Sequence, residues 1–128
     1  MSLKFPKEQK LKSEATIQAL FKTGKSAFFY PLKIHYSLKI QDDTNPSCLQ
    51  FGATASKKYF KKAVDRNELK RKIREAFRLQ KTELEETLNI HQKHLIIMVL
   101  FVGKTKAEYD DIYKAVHFFI HKLMKKIK

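Results

Sequence analysis

The sequence predicts one α+β domain, a single sheet covered by helices, on three observations. Apolar residues change period along the chain, from helical spacing to strict alternation and back. One octet, Leu95 to Val102, is apolar throughout, as a strand covered on both faces requires. The 128 residues suffice for one hydrophobic core but not two, so residues 1–128 are expected to form a single domain. Hydrophobic residues make up 43% of the chain, which is globular rather than disordered composition.

Ser13 to Lys22 reads as a first helix. Ser13 can cap it, Ile17, Leu20 and Phe21 have helical spacing, and Gly24 suits its C-terminal stop. From Leu32 the period is two. Leu32, Ile34, Tyr36, Leu38 and Ile40 alternate with Lys33, His35, Ser37 and Lys39, the pattern of a half-buried strand. Pro31 separates this strand from Ala27–Tyr30, which can form a short strand of its own. Asp42 to Ser47 is turn chemistry, and Leu49, Phe51 and Ala53 then alternate again. A long basic helix is expected within Lys57–Leu88. After the apolar octet and Gly103, Thr105 and Glu108 form a capping-box pattern. The last helix carries Ile112, Val116, Phe119, Ile120, Leu123 and Ile127 on one stripe. The order is helix, two or three strands, helix, strand, helix.

Charge narrows the function. Lys and Arg total 27 against 13 Asp and Glu, a net charge of +14. Such self-repulsion opposes folding and points to a polyanionic partner. The single cysteine, Cys48, excludes an internal disulfide and a cysteine-built zinc site, and fits a reducing compartment. The opening MSLKFPKEQK has no apolar stretch of signal-peptide length, and the longest apolar run is too short to span a bilayer. A cytoplasmic protein with no membrane partner is expected.

The basic helix is the most informative segment, SKKYFKKAVDRNELKRKIREAFR from Ser56 to Arg78. Its bases are Lys57, Lys58, Lys61, Lys62, Arg66, Lys70, Arg71, Lys72, Arg74 and Arg78, opposed only by Asp65, Glu68 and Glu75. At about 100° per residue, Leu69, Ile73, Ala76 and Phe77 gather into a core stripe. Arg66, Lys70, Arg74 and Arg78 form a ridge beside it, extended by Asn67 and Arg71. Glu68 and Glu75 fall on a third side, near Lys72. Pairs at i,i+4 spacing, Glu68 with Lys72 and Arg71 with Glu75, leave that ridge unneutralised. A guanidinium donates two parallel hydrogen bonds to phosphate, and Asn can hold sugar or base edges. The helix N-terminus adds backbone N–H groups and a positive dipole end. This is a nucleic-acid surface.

In this order of elements the motif resembles the bacterial ribonuclease P protein family. The family's signature is a pair of lysines, Ala-Val, Arg-Asn-Arg, Lys-Arg, an Arg-Glu pair and Ala-Phe. The chain has Ser56-Lys57-Lys58, Ala63-Val64, Arg66-Asn67-Glu68, Lys70-Arg71 and Arg74-Glu75-Ala76-Phe77. KLKSEATIQALFKTGKS, Lys10 to Ser26, is similar to the family's first helix, and LKIHYSL, Leu32 to Leu38, to its cleft strand. The likeness covers roughly residues 5–125. Two departures stand out. Glu68 replaces the motif's second arginine, and Tyr59-Phe60-Lys61-Lys62 is one residue longer than the usual lead-in and lacks its glycine.

The resemblance implies a two-layer α+β sandwich of a mixed four-stranded sheet and three helices, in the order α-β-β-β-α-β-α. This is the fold of the second domain of ribosomal protein S5, with a left-handed βαβ crossover that connection rules disfavour. The resemblance implies that Lys57, Lys58, Arg66, Asn67, Lys70, Arg71, Arg74 and Arg78 bind the ribonuclease P catalytic RNA. A cleft beside the first helix and the sheet would then grip the single-stranded 5′ leader of precursor tRNA. By position Ile17, Phe21 and Tyr36 fall in that cleft, and Lys33 and His35 do not. Phe21 and Tyr36 suit a groove that stacks bases. All three also read as core, and Ile17, which stands where the family has an aromatic, fits core and cleft equally.

In that family the RNA carries hydrolysis with magnesium ions. The expectation is therefore a non-catalytic subunit that binds no cofactor itself, within an enzyme requiring Mg2+, and no protein partner is implied. The residues themselves suggest no independent catalyst. His117 and His121 are four apart but lack the glutamate of a zinc-protease motif. Glu83, Glu85 and Glu86 read as a solvated helix end, and no glycine-rich phosphate loop occurs. The same basic helix would also serve a structural rRNA-binding protein, which stands as the alternative.

Overall fold

The change of period along the sequence resolves into seven elements. They are α1 (Glu14–Thr23), β1 (Lys25–Phe29), β2 (Leu32–Ile40), β3 (Leu49–Ala55), α2 (Ala63–Ile90), β4 (Lys93–Phe101) and α3 (Tyr109–Ile127). The computed structural model describes residues 9–42 and 47–127. The reading of the first residues, and most of the turn expected at Asp42–Ser47, fall outside these.

The sheet order is β1-β2-β4-β3. β1 and β2 pair antiparallel, as do β2 and β4, while β3 lies parallel to β4. A parallel neighbour needs a long crossover, and α2 supplies it. β4 lies between β2 and β3 and is covered on both faces, which accounts for its unbroken apolar run. Leu95, Ile97, Val99 and Phe101 face one hydrophobic cluster, and Ile96, Met98 and half-buried Leu100 face another. The first cluster is the main core. There Leu69, Ile73, Phe77 and Leu84 of α2 and Ile112, Val116, Phe119 and Leu123 of α3 pack on the sheet. The second, smaller cluster joins Leu11, Leu20 and half-buried Ile17 to the opposite face. The sheet with α2 and α3 forms the two-layer sandwich, and α1 lies by itself on the sheet's other side.

Local chemistry sets the ends of α1. Ser13 Oγ accepts the Thr16 N–H at 3.3 Å, the side-chain cap its position suggests. Gly24 closes the helix with φ −73°, so a left-handed turn is not its purpose. A Cβ there would stand 2.5 Å from Leu20 O and 3.0 Å from Tyr36 O, and the glycine lets the helix end press on β2.

Two boundaries differ from the sequence expectation. α2 begins at Ala63, so Lys57–Lys62 precede the helix. Buried Phe60 pins this stretch, with its ring 5.6 Å from that of Phe101 and its N–H bonded to Ser56 O at 3.1 Å. The capping box at Thr105 and Glu108 does not open α3, which begins at Tyr109. Instead the Glu108 carbonyl accepts from Asp111 and Ile112 at 3.1 and 3.4 Å.

Candidate nucleic-acid interface

α2 is amphipathic in a particular way. Its buried stripe, Leu69, Ile73, Ala76 and Phe77, is the one the sequence places in the core. On the solvent side Asn67, Arg71 and Arg74 are exposed, with Lys70 half-buried between them, and these spacings of three and four put them on one face. Lys57, Lys58, Lys61 and Lys62 are exposed in the stretch leading into the helix.

The ridge is not wholly unneutralised. Arg66 turns back on the lead-in and donates through Nη1 to Phe60 O at 2.8 Å and Lys61 O at 2.9 Å. At the other end Arg78 pairs with Glu75 at i,i+3, so Glu75 serves Arg78 rather than only the Arg71 expected from spacing. That bond is the main reason the Glu75 carboxyl lies below the usual carboxylate range. Glu68 sits 3.4 Å from Lys72 and 3.8 Å from Lys106, turned toward the segment before α3. Lys106 also holds Asp65 at 2.8 Å. The acids of α2's first turns are thereby occupied on one side, and the Asn67–Arg71–Arg74 stripe keeps a net positive face, with Glu75 the acid that acts on Arg71.

The second surface is the side of the sheet that carries α1. Cross-strand partners share a face, so the register fixes its composition. Phe28, Lys33, Leu100 and Thr54 form one row across β1, β2, β4 and β3, and Ser26, His35, Met98 and Gly52 form the next. α1 covers the middle of this face and leaves its β1–β2 side open. There Phe21, 43% exposed, meets the His35 ring edge-on at a centroid distance of 4.7 Å. Phe28, 62% exposed, and exposed Lys33 continue the strip. Burial, and secondarily the Lys33 charge, hold the His35 imidazole below its ordinary value. At pH 7 it presents a neutral ring. Ile17 is half-buried in the small cluster under α1.

Tyr36 is not on this surface, a correction to the expected cleft. It follows Leu32 and Ile34 in phase, is 5% exposed, and packs edge-on against Phe119 at 5.4 Å in the main core. Its hydroxyl accepts from Lys126 Nζ at 3.2 Å. His35, which the resemblance leaves out of the cleft, stands next to Phe21 instead. The signal was available: in a strand of period two, His35 shares a face with Lys33 and Ser37, and Tyr36 shares one with Ile34. Phe28 was missed as well, because assigning its face needed the β1–β2 register.

Among the described residues no group of three or more His, Cys, Asp or Glu is placed to hold a metal ion. His117 and His121 lie side by side on α3, with ring centroids 4.1 Å apart and planes tilted by 51°. No helix among them is long and apolar enough to cross a membrane.

A family model described as Ribonuclease P matches residues 5–127. Ribonuclease P protein component of Porphyromonas gingivalis is 30% identical over 110 residues, 86% of this chain and 79% of that protein. The protein of the same name from Chlorobium phaeobacteroides is 37% identical over 107 residues, 79% of this chain and 73% of that one. Among solved structures, the Staphylococcus aureus RNase P protein superposes with TM-score 0.66 at 22% identity, covering 94% of this chain and 98% of that one. At that identity the likeness establishes the fold.

Proposed function

This chain belongs to the ribonuclease P protein family, and from that premise we propose that it is the protein subunit of an RNA-based endoribonuclease. It binds a catalytic RNA through α2 and the 5′ leader of precursor tRNA through the α1 side of the sheet, promoting removal of the leader. The observation that carries the reading is the pair of surfaces of different chemistry on opposite sides of one sheet. The Arg71–Arg74 face, with Asn67 and the lysines of the lead-in, offers charge-assisted hydrogen bonds to phosphates. The Phe21–His35–Phe28 strip, with Lys33, offers rings to unpaired bases and a cation to the backbone, the combination a single strand needs. The chemistry is assigned to the RNA with Mg2+, and the protein's part is to hold RNA and substrate in register and lower the cation demand.

Cleavage of precursor tRNA at low magnesium, with the catalytic RNA alone and with the protein added, tests the proposal. The protein should restore leader removal under conditions where the RNA is slow. Binding without any gain in cleavage would instead describe a structural RNA-binding protein.

A further inference from the structure

The segment leading into α2, one of the two places where the sequence departs from the motif it resembles, carries a feature of its own. Phe60 is buried, so its neighbour Tyr59 is turned outward and is 41% exposed. Lys58 Nζ lies 5.4 Å and Lys104 Nζ 6.0 Å from the Tyr59 ring centroid. Both are near the outer limit of cation–π attraction, so the ammonium groups are held loosely and are free to turn to other anions. Beside the ring is an open pocket of 360 Å³ walled by Thr54, Tyr59, Leu100 and Val102. That is within the range of ligand-sized clefts, roughly 300–1,000 Å³.

We propose that Tyr59 and this pocket bind one unpaired nucleobase of the precursor tRNA leader. The site has an aromatic ring and apolar walls for the base, and Lys104 for a flanking phosphate, while Lys58 stays with the lead-in lysines that face the catalytic RNA. No acidic residue is among those lining the pocket. A cationic rim around an apolar slot selects a single-stranded polyanion whose bases are unstacked. The leader is the source because of position. Leu100 and Thr54 belong to the row that begins with Phe28 and Lys33, so the pocket continues the α1-side strip across the sheet. The Asn67–Arg71–Arg74 stripe lies on α2, which packs against the sheet's opposite face. The site rests on the leader reading given above and extends it from the β1–β2 side to the end of β3.

The chain contains no tryptophan, so Tyr59→Trp creates a single reporter at the site. In the assembled enzyme its fluorescence should be quenched by precursor tRNA and not by mature tRNA, which has no leader. Tyr59→Ala should lower precursor affinity by about fivefold to a hundredfold, the range expected for one stacked base, and leave mature tRNA affinity unchanged. Tyr59→Phe should retain binding, and Tyr59→Leu, apolar but without a π-face, should not. A wild-type enzyme with no preference for precursor over mature tRNA would remove the leader reading and this site together. A wild-type preference that survives in Tyr59→Ala, with an unquenched Tyr59→Trp signal, overturns the site alone. A defect confined to catalytic-RNA affinity also overturns it, and would move Tyr59 to the other interface.

Discussion

Arg66 and Arg74 occupy the same ridge of α2, yet their surroundings assign them different work. Arg74 is exposed, and its replacement by Ala should cost about 1.5–3 kcal/mol of catalytic-RNA affinity with no change in the melting curve. Arg66 also holds the carbonyls of Phe60 and Lys61, so Arg66→Ala should lose stability as well as affinity. Titration of the RNA and thermal melts of both variants check this, and a stable Arg66→Ala would detach the guanidinium from the lead-in. The pattern of bases was legible in the sequence, because arginines four apart on a helix must share a side. Their local partners were not, since Phe60 O reaches Arg66 only after the lead-in folds back. His94 gives a pH signature. It is buried, Nδ1 lies 2.7 Å from Ser47 O, and Nε2 has no hydrogen-bond partner among the described residues. Burial, the largest cause, and Lys39 hold its pKa below the ordinary imidazole value, against smaller opposing effects from the Ser47 carbonyl and Asp42. The unfolded chain therefore binds the proton more tightly. Stability from this group is complete above roughly pH 6.5 and declines as pH falls toward the depressed folded value. Denaturant melts across that window should show a shallower slope in His94→Gln than in the wild type, the remainder coming from groups such as His35, whose pKa is lowered as well.

At the scale of elements, β2 separates core from groove by residue parity. Tyr36→Ala should destabilise the fold by about 3–5 kcal/mol, as expected for emptying an aromatic site in a packed core. His35→Ala, on the other face, should change stability little and reduce precursor tRNA affinity. Melts and binding of the two variants decide the assignment, and a stable Tyr36→Ala with weakened leader binding would return Tyr36 to the cleft. The alternation of β2 was plain in the sequence, and so was the uniform apolarity of β4, because a strand covered on both faces must be apolar on both. Helix starts were less legible. Lys57–Lys62 has nothing against helix in its composition, and the burial of Phe60 against Phe101, with the Arg66 bonds to the Phe60 and Lys61 carbonyls, holds it out of α2. α2 is tied down further along by Lys81, 3% exposed, which bonds to Gln9 and lies 3.2 Å from Glu85. A buried lysine on a helix that reads as polar at those positions gives no sign of that link until the chain before α1 is in place.

Across the whole molecule, the cationic stripe of α2 and the aromatic strip beside α1 are held apart by a single sheet, in a chain of net charge +14. Composition identified a polyanion partner but not the division, which depends on α1 and α2 packing on opposite sides of β4. Removing one phosphate-binding side chain from the α2 stripe should reduce the salt dependence of catalytic-RNA binding by about one unit of slope. Removing a stacking ring from the other face should leave that slope unchanged. The most direct test of the two-surface account compares Arg74→Ala and Phe21→Ala in one pair of assays, affinity for the catalytic RNA and the preference of the assembled enzyme for precursor over mature tRNA. Arg74→Ala should weaken the first and spare the second. Phe21→Ala should spare the first and reduce the second, with both proteins melting as the wild type does. If both variants shift both quantities together, the two faces do not serve separate RNAs, and the account is contradicted.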